Sequence, residues 1–137
     1  MSSIYPSRKP YYRSRNSIAA ASPIFAKKIM CHYQTLFHND DCGYAVRCSV
    51  CETIQVGFGN LMLSFTAADF NFFRRWLKQM IAVTDAPHDS TLRCIVVPSP
   101  CADVKLLLSM KELFAFNDML ESCDAELKSL ELINLFK

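Results

Sequence analysis

The residues best suited to chemistry are concentrated between positions 31 and 58. This stretch holds four of the seven cysteines and two of the three histidines, and it contains the chain's only Cys-x-x-Cys motif, at Cys48 and Cys51. Thiolate sulfur and imidazole nitrogen are ligands that zinc prefers, and this spacing lets two sulfurs of one tight turn reach the same ion. The stretch therefore indicates a metal site.

The segment that carries these residues has the pattern of a β-hairpin. Side chains alternate as in a strand over residues 31–37, Asn, Asp and Gly mark a turn over residues 38–43, and residues 44–47 return as the second strand. In an antiparallel hairpin, residues 31–32 come back beside residues 48–51. The turn lies at the other end, about 20 Å away at roughly 3.3 Å per strand residue.

This geometry selects four candidate zinc ligands, Cys31, His32, Cys48 and Cys51. His38 and Cys42 belong to the turn end and are not expected to join them. Neighbouring residues of a strand point to opposite faces, so Cys31 and His32 share an ion only if the strand is irregular there. Otherwise Cys101, in a Pro-Ser-Pro-Cys loop, is the substitute fourth ligand.

Two alternatives to a zinc site stay open. The cysteines are small enough to be ordinary buried thiols beside a surface histidine, and Glu52 stands where a metal-binding knuckle commonly has glycine. A thiol redox role for Cys48 and Cys51 is the other alternative. It is less favoured, because redox motifs of the thioredoxin type open a helix, whereas strand-like sequence follows this one.

The rest of the chain is predicted to contain a β-hairpin–helix unit twice, 43 residues apart. Each unit has two strands followed by a helix that starts at a capping residue, Thr66 in the first and Ser109, with Glu112, in the second. A Gly59-Asn60 turn joins the first pair of strands. The four strands are predicted over residues 53–58, 61–65, 92–97 and 104–108.

Periodicity predicts which side chains of the two helices are buried and which are exposed. Phe, Trp, Leu and Met at helical spacing are expected to be buried, and so are the lone Cys94 and Cys123. Two sets of charged residues are expected to face solvent. The first set is Arg74, Arg75 and Lys78 on the first helix, and the second is Glu121, Asp124 and Glu126 on the second helix.

The predicted fold class is α+β. A mainly antiparallel sheet shared by both units carries the two helices on one face, with a zinc-ribbon-like hairpin added at its N-terminal side. Residues 30–137 form one domain. Its parts are the hairpin over 31–51, the repeats over 53–83 and 92–125, and a C-terminal helix over 126–136 that either extends the second helix or docks as a third.

Residues 1–29 differ in composition from the rest. They carry six basic residues and no acidic one, which leaves a net charge of −4 on the remainder of a chain whose total is +2. This segment is interpreted as a disordered tail or as a mis-assigned start with Met30 the true one. A targeting or nucleic-acid-contacting arm is a less favoured interpretation.

No familiar catalytic motif is present in the sequence. It has no Gly-rich phosphate loop, nucleophile elbow or His-Glu-x-x-His motif. No apolar run approaches the roughly 20 residues of a membrane helix. An odd number of cysteines without a secretory signal favours a reducing, cytoplasmic location. We therefore expect a binding protein and not an enzyme.

Short motifs along residues 30–136 resemble those of a family of short, uncharacterised bacterial proteins that form a domain of unknown function. The motifs are Met30-Cys31-His32, Gly43-Tyr44, Cys48-x-x-Cys51, Ile54-Gln55, Phe58-Gly59-Asn60, Leu63-Ser64, Ile95-x-x-Pro98 and Leu107-Leu108-Ser109 with Glu112-Leu113. The resemblance implies a cytoplasmic protein and supports the metal interpretation. No activity comes with it.

Three hypotheses follow for function. The first is a module with a structural zinc ion that binds a protein partner or a second copy of itself. The second is a nucleic-acid-binding, zinc-ribbon-like regulator that uses Arg47 with Arg74, Arg75 and Lys78, with the basic segment 1–29 as a further candidate contact. The third is a thiol redox protein that uses Cys48 and Cys51.

Overall fold

The computed structural model describes residues 31–137. The interpretations of residues 1–29 and of Met30 as a start lie outside the described residues. The elements, in chain order, are β1 Tyr33–Asn39, β2 Gly43–Cys48, β3 Ile54–Phe58, β4 Leu61–Phe65, α1 Ala67–Val83, β5 Ile95–Pro98, β6 Lys105–Leu108 and α2 Met110–Leu135.

Strands β1 to β4 form an antiparallel meander, in which each strand pairs with the next along the chain. Short turns make this order possible. The predicted Gly59-Asn60 turn is present, and Gly59 has φ +60°, a left-handed conformation that glycine adopts without steric cost. The meander therefore places the β1–β2 hairpin at one side of the sheet, with β1 as its free edge.

The two faces of this sheet differ sharply. On the inner face, Ala45, Val56 and Leu63 lie side by side on β2, β3 and β4, and all three are buried. On the outer face, Tyr44 and Met62 flank Gly57 and are exposed. A side chain at Gly57 would collide with the Tyr44 ring, which covers it on that face.

Both helices cover the inner face, and aromatic rings join them to the sheet. Phe116 of α2 stacks on Phe58 of β3 with ring centroids 4.5 Å apart, and it contacts Phe73 of α1 at 5.7 Å. Phe73 in turn lies 5.3 Å from Phe65 of β4. The predicted α+β class, with an antiparallel sheet and helices on one face, is confirmed.

The predicted helix starts are also present. The Thr66 hydroxyl accepts a hydrogen bond from the backbone amide of Asp69, and Ser109 and Glu112 form a full capping box at the start of α2. Such caps satisfy backbone amides that have no partner within the helix. Helix α2 continues unbroken through residues 126–135, so this segment extends the second helix.

The prediction of one shared sheet is wrong. In the described part of the chain, β5 and β6 pair only with each other and form a second, two-stranded sheet. That the two β-β-α units are an internal repeat stays a prediction. Phe73 and Phe116, which are 43 positions apart, are nevertheless in direct contact.

Three burial predictions are also wrong, and all concern single side chains. Arg74 is turned inward between the helices, where it forms ion pairs with Glu121 at 3.0 Å and Asp124 at 3.7 Å. Asp124 is accordingly buried, since its charge has a partner. Cys94 precedes β5 and is exposed, whereas Cys123 is buried as predicted, and burial raises its pKa to about 12.

Neither helix within residues 31–137 combines the length and the apolar character needed to cross a lipid bilayer.

Replacing Phe116 by alanine should lower the free energy of unfolding by about 3–5 kcal/mol, because it removes a ring that joins helix α2 to both the sheet and helix α1. Phe114→Ala, on the exposed side of the same helix, should change it by only about 0.5 kcal/mol. Urea unfolding followed by circular dichroism measures both. Equal losses in the two variants would contradict this packing.

Candidate metal centre

Three cysteines converge at the open end of the β1–β2 hairpin. The sulfur atoms of Cys31, Cys48 and Cys51 all lie within 4.8 Å of one another. A tetrahedral zinc ion with Zn–S distances of about 2.3 Å needs sulfurs about 3.8 Å apart. A small movement of the side chains is thus enough to place all three around one ion.

The strand register brings the three residues together. Tyr33 pairs with Cys48, and just beyond this pair the amide of Ser49 donates to the carbonyl oxygen of His32 at 2.9 Å. Directly opposed residues of paired strands share a face, and alternation places Cys31 on the face of Tyr33. Cys31 therefore lies beside Cys48, as the hairpin argument predicted.

The chain then makes a tight turn from Cys48 to Cys51. The Glu52 amide donates to the Cys48 carbonyl and the Cys48 amide donates to the Thr53 carbonyl, both at 2.9 Å. The amide of Cys51 points at the Cys48 sulfur, 3.4 Å away. Backbone amides aimed at a sulfur stabilise its thiolate form, which is the form that binds metal.

Glu52 adopts a left-handed backbone conformation. Glycine adopts this conformation without steric cost, which explains why a metal-binding knuckle commonly has glycine at this position. Glu52 has φ +61°, and it is the only non-glycine residue with positive φ among the residues described. This conformation costs a residue with a β-carbon roughly 1–2 kcal/mol. The turn thus has the shape that glycine normally provides, although the sequence has glutamate there.

The environment of the cluster separates the acidities of Cys48 and Cys31. The pKa of Cys48 is lowered to about 7, chiefly because the Cys51 amide donates to its sulfur. The pKa of Cys31 is raised to about 11, mainly by its hydrogen bond with Cys48. Without metal, Cys48 is the first of the pair to become a thiolate, and Cys31 keeps the proton between them.

The remaining candidate ligands lie outside this group. His32 and Cys101 have no ligand atom within the 4.8 Å cluster, and both residues are exposed. Alternation explains His32, because it follows Cys31 and its side chain starts from the opposite face. Cys101 lies in the β5–β6 loop. Their roles as fourth ligand stay predictions.

His38 and Cys42 are at the far end of the hairpin, as expected. His38 pairs with Tyr44 next to the β1–β2 turn, and Cys42 is in that turn, half-buried against the core. The amide of Gly59 donates to the Cys42 carbonyl, so this end is fastened to the β3–β4 turn.

Two hydroxyl groups beside the cysteines were not foreseen from the sequence. The Thr53 hydroxyl lies 3.4 Å from the Cys51 sulfur. The pKa of Tyr33 is raised, first by the charge of the nearby Cys31 thiolate. Alternation offered one signal, since Tyr33 is two residues from Cys31 and on its face.

Two of the four cations proposed for nucleic-acid contact are turned inward. Arg74 is only 11% exposed and is paired with acidic side chains of α2. Arg47 is half-buried opposite Ile54 on the inner face of the sheet. Arg75 and Lys78 remain exposed.

Comparison with known proteins places the chain in a family. A family model described as a family of unknown function, DUF6686, matches residues 30–135. The chain belongs to this family. The match confirms the resemblance drawn from the short motifs, and it includes all three clustered cysteines. No curated protein and no solved structure matches the chain.

Glu52→Gly should raise the free energy of unfolding by about 1 kcal/mol, because glycine adopts φ +61° without the steric cost of a β-carbon. Glu52→Ala removes the carboxylate but keeps the β-carbon, so it should bring no such gain. Denaturant unfolding of the metal-free chain compares the two. If alanine stabilises as much as glycine, the carboxylate is responsible and the argument from backbone conformation is wrong.

Proposed function

We propose that this protein holds one structural zinc ion at the open end of its hairpin. Cys31, Cys48 and Cys51 are the ligands, with His32 as the fourth and Cys101 as its substitute. The convergence of three sulfurs within 4.8 Å is the observation that carries the proposal. The His32 side chain starts from the opposite face of the hairpin. It would therefore have to rotate about its side-chain bonds, past the edge of β1, to bring its imidazole to the three sulfurs.

The exposure of this end of the hairpin supports a structural role for the ion. Residues 31–35 and 49–52 are all exposed, so little apolar packing fixes their conformation. The turn also contains Glu52 in an unfavourable backbone conformation. A metal bound to both sides of the hairpin would supply the missing stabilisation, because binding free energy adds to the stability of the folded state.

The zinc-bound hairpin would serve as a cytoplasmic binding module. The metal would fix one end of the outer face of the sheet. Tyr33, Tyr44 and Met62 are exposed on this face, and no described helix covers it. Exposed aromatic and methionine side chains are enriched in protein interfaces. The partner would be another protein or a second copy of this chain.

The lowered pKa of Cys48 favours thiol redox chemistry as a second candidate function. In that case the Cys48 and Cys51 thiols would be oxidised to a disulfide by exchange with the disulfide of another thiol compound, which would leave as its two thiols. Zinc would compete with this reaction, because both sulfurs would be bound as thiolates. The metal content of the purified chain therefore separates the two candidates.

Chains purified without added zinc should contain about one equivalent of metal, and Cys48→Ser should remove it, since Cys48 is the buried member of the cluster. Metal per chain is measured by plasma mass spectrometry. Cys94→Ser removes an exposed thiol outside the cluster and should keep the metal. Less than about a tenth of an equivalent of metal in the wild-type chain, with every thiol freely titratable, would contradict the proposal.

A further inference from the structure

Two of the three clustered sulfurs have a hydrogen-bonding neighbour at 3.4 Å, and a tyrosine lies on the same sheet face as the third. Cys48 faces the amide of Cys51, 3.4 Å from its sulfur. Cys51 lies 3.4 Å from the Thr53 hydroxyl. Tyr33 is two residues from Cys31 on the same face of the hairpin, and it pairs across the strands with Cys48. Hydroxyl groups are thus available beside the two sulfurs that have no backbone amide aimed at them among the contacts described.

We propose that Tyr33 and Thr53 are positioning residues of the metal centre, whose hydroxyl groups donate hydrogen bonds to the thiolates of Cys31 and Cys51. This inference rests on the proposed zinc site. In the metal-free chain the Cys51 thiol donates to Thr53. When metal displaces the thiol proton, the same contact persists with its direction reversed, because a hydroxyl both donates and accepts.

Charge explains why such donors are needed. Three thiolates around one divalent ion leave a net charge of −1, and a neutral fourth ligand does not change it. Hydrogen bonds to the sulfurs spread this charge and make the thiolates poorer competitors for protons. Cys48 receives a hydrogen bond from the backbone of the turn, and the hydroxyls of Tyr33 and Thr53 would do the same for Cys31 and Cys51.

The position of Tyr33 argues against a purely structural role for its hydroxyl. The residue is 56% exposed on the outer face of an edge strand, so its ring contributes little to the core. Its cross-strand partner is Cys48 and its neighbour on the same face is Cys31. Tyr44 is a matched comparison on the same sheet face, at the far end of the hairpin, with its hydroxyl directed at Met62.

Tyr33→Phe and Thr53→Val remove the hydroxyl groups while keeping the shape of each side chain. Each should weaken zinc binding by the full chain about tenfold, as loss of an outer hydrogen bond to a metal ligand typically does. Competition with a chromophoric chelator measures the affinity. Tyr44→Phe should bind zinc as the wild type does.

A spectrum separates electronic tuning from a folding defect. With cobalt(II) in place of zinc, the sulfur-to-cobalt charge-transfer band should move to lower energy in Tyr33→Phe and Thr53→Val, because a thiolate that loses a hydrogen bond gives up electron density more easily. A variant that is merely less stable would lose band intensity without a shift. Tyr44→Phe should leave the band in place.

The outcomes distinguish this inference from the proposal beneath it. Wild-type affinity and an unshifted cobalt band in both hydroxyl variants, with one zinc bound by the wild-type chain, would overturn the positioning role and leave the zinc site standing. A wild-type chain that binds neither zinc nor cobalt would overturn the zinc site itself. Weaker binding together with the band shift would support both.

Discussion

The register of the β1–β2 pair is the constraint on which the rest of the site depends. Pairing of Tyr33 with Cys48 places Cys31 next to the Cys48–Cys51 turn. A slip of one residue would move every side chain of β1 to the other face of the sheet. It would then direct Cys31 away from its partners and place the polar Thr35 in the core.

An irregularity in β1 lets this strand place Tyr33 on the outer face of the sheet and Phe37 on the inner face. The register shifts between Thr35 and Phe37, so Leu36 is an extra residue opposite β2. On the far side of this bulge Phe37 pairs with Ala45 and packs against the core, while Tyr33 stays on the outer face with the cysteines. The bulge thus separates the part of the chain near Tyr33, which lies beside the clustered cysteines, from the part near Phe37, which packs against the core.

Much of this arrangement could be predicted because it depends on local patterns. The hairpin turn chemistry, the Gly59-Asn60 turn and the caps at Thr66 and Ser109 each follow from a few adjacent residues. Hairpin geometry then brought Cys31 to Cys48 and Cys51 and excluded Cys42. Strict alternation over residues 31–37, however, would put Phe37 on the face of Tyr33, since a bulge has no clear signal in a single sequence.

The features that could not be predicted depend on contacts between distant elements. Arg74 has the spacing of a solvent-facing residue on α1, and only the approach of α2 supplies Glu121 and Asp124 as its partners. The split into two sheets likewise depends on how the second hairpin docks. The left-handed conformation of Glu52 is imposed by the turn against the preference of the residue.

X-ray absorption at the zinc edge tests the central claim most directly, because it reports the ligands around the ion in the full chain. With Cys31, Cys48 and Cys51 as ligands, the spectrum should show three sulfur atoms at about 2.3 Å and one nitrogen at about 2.0 Å, or four sulfur atoms if Cys101 completes the site. A first shell of only nitrogen and oxygen, or no bound zinc, would contradict the account.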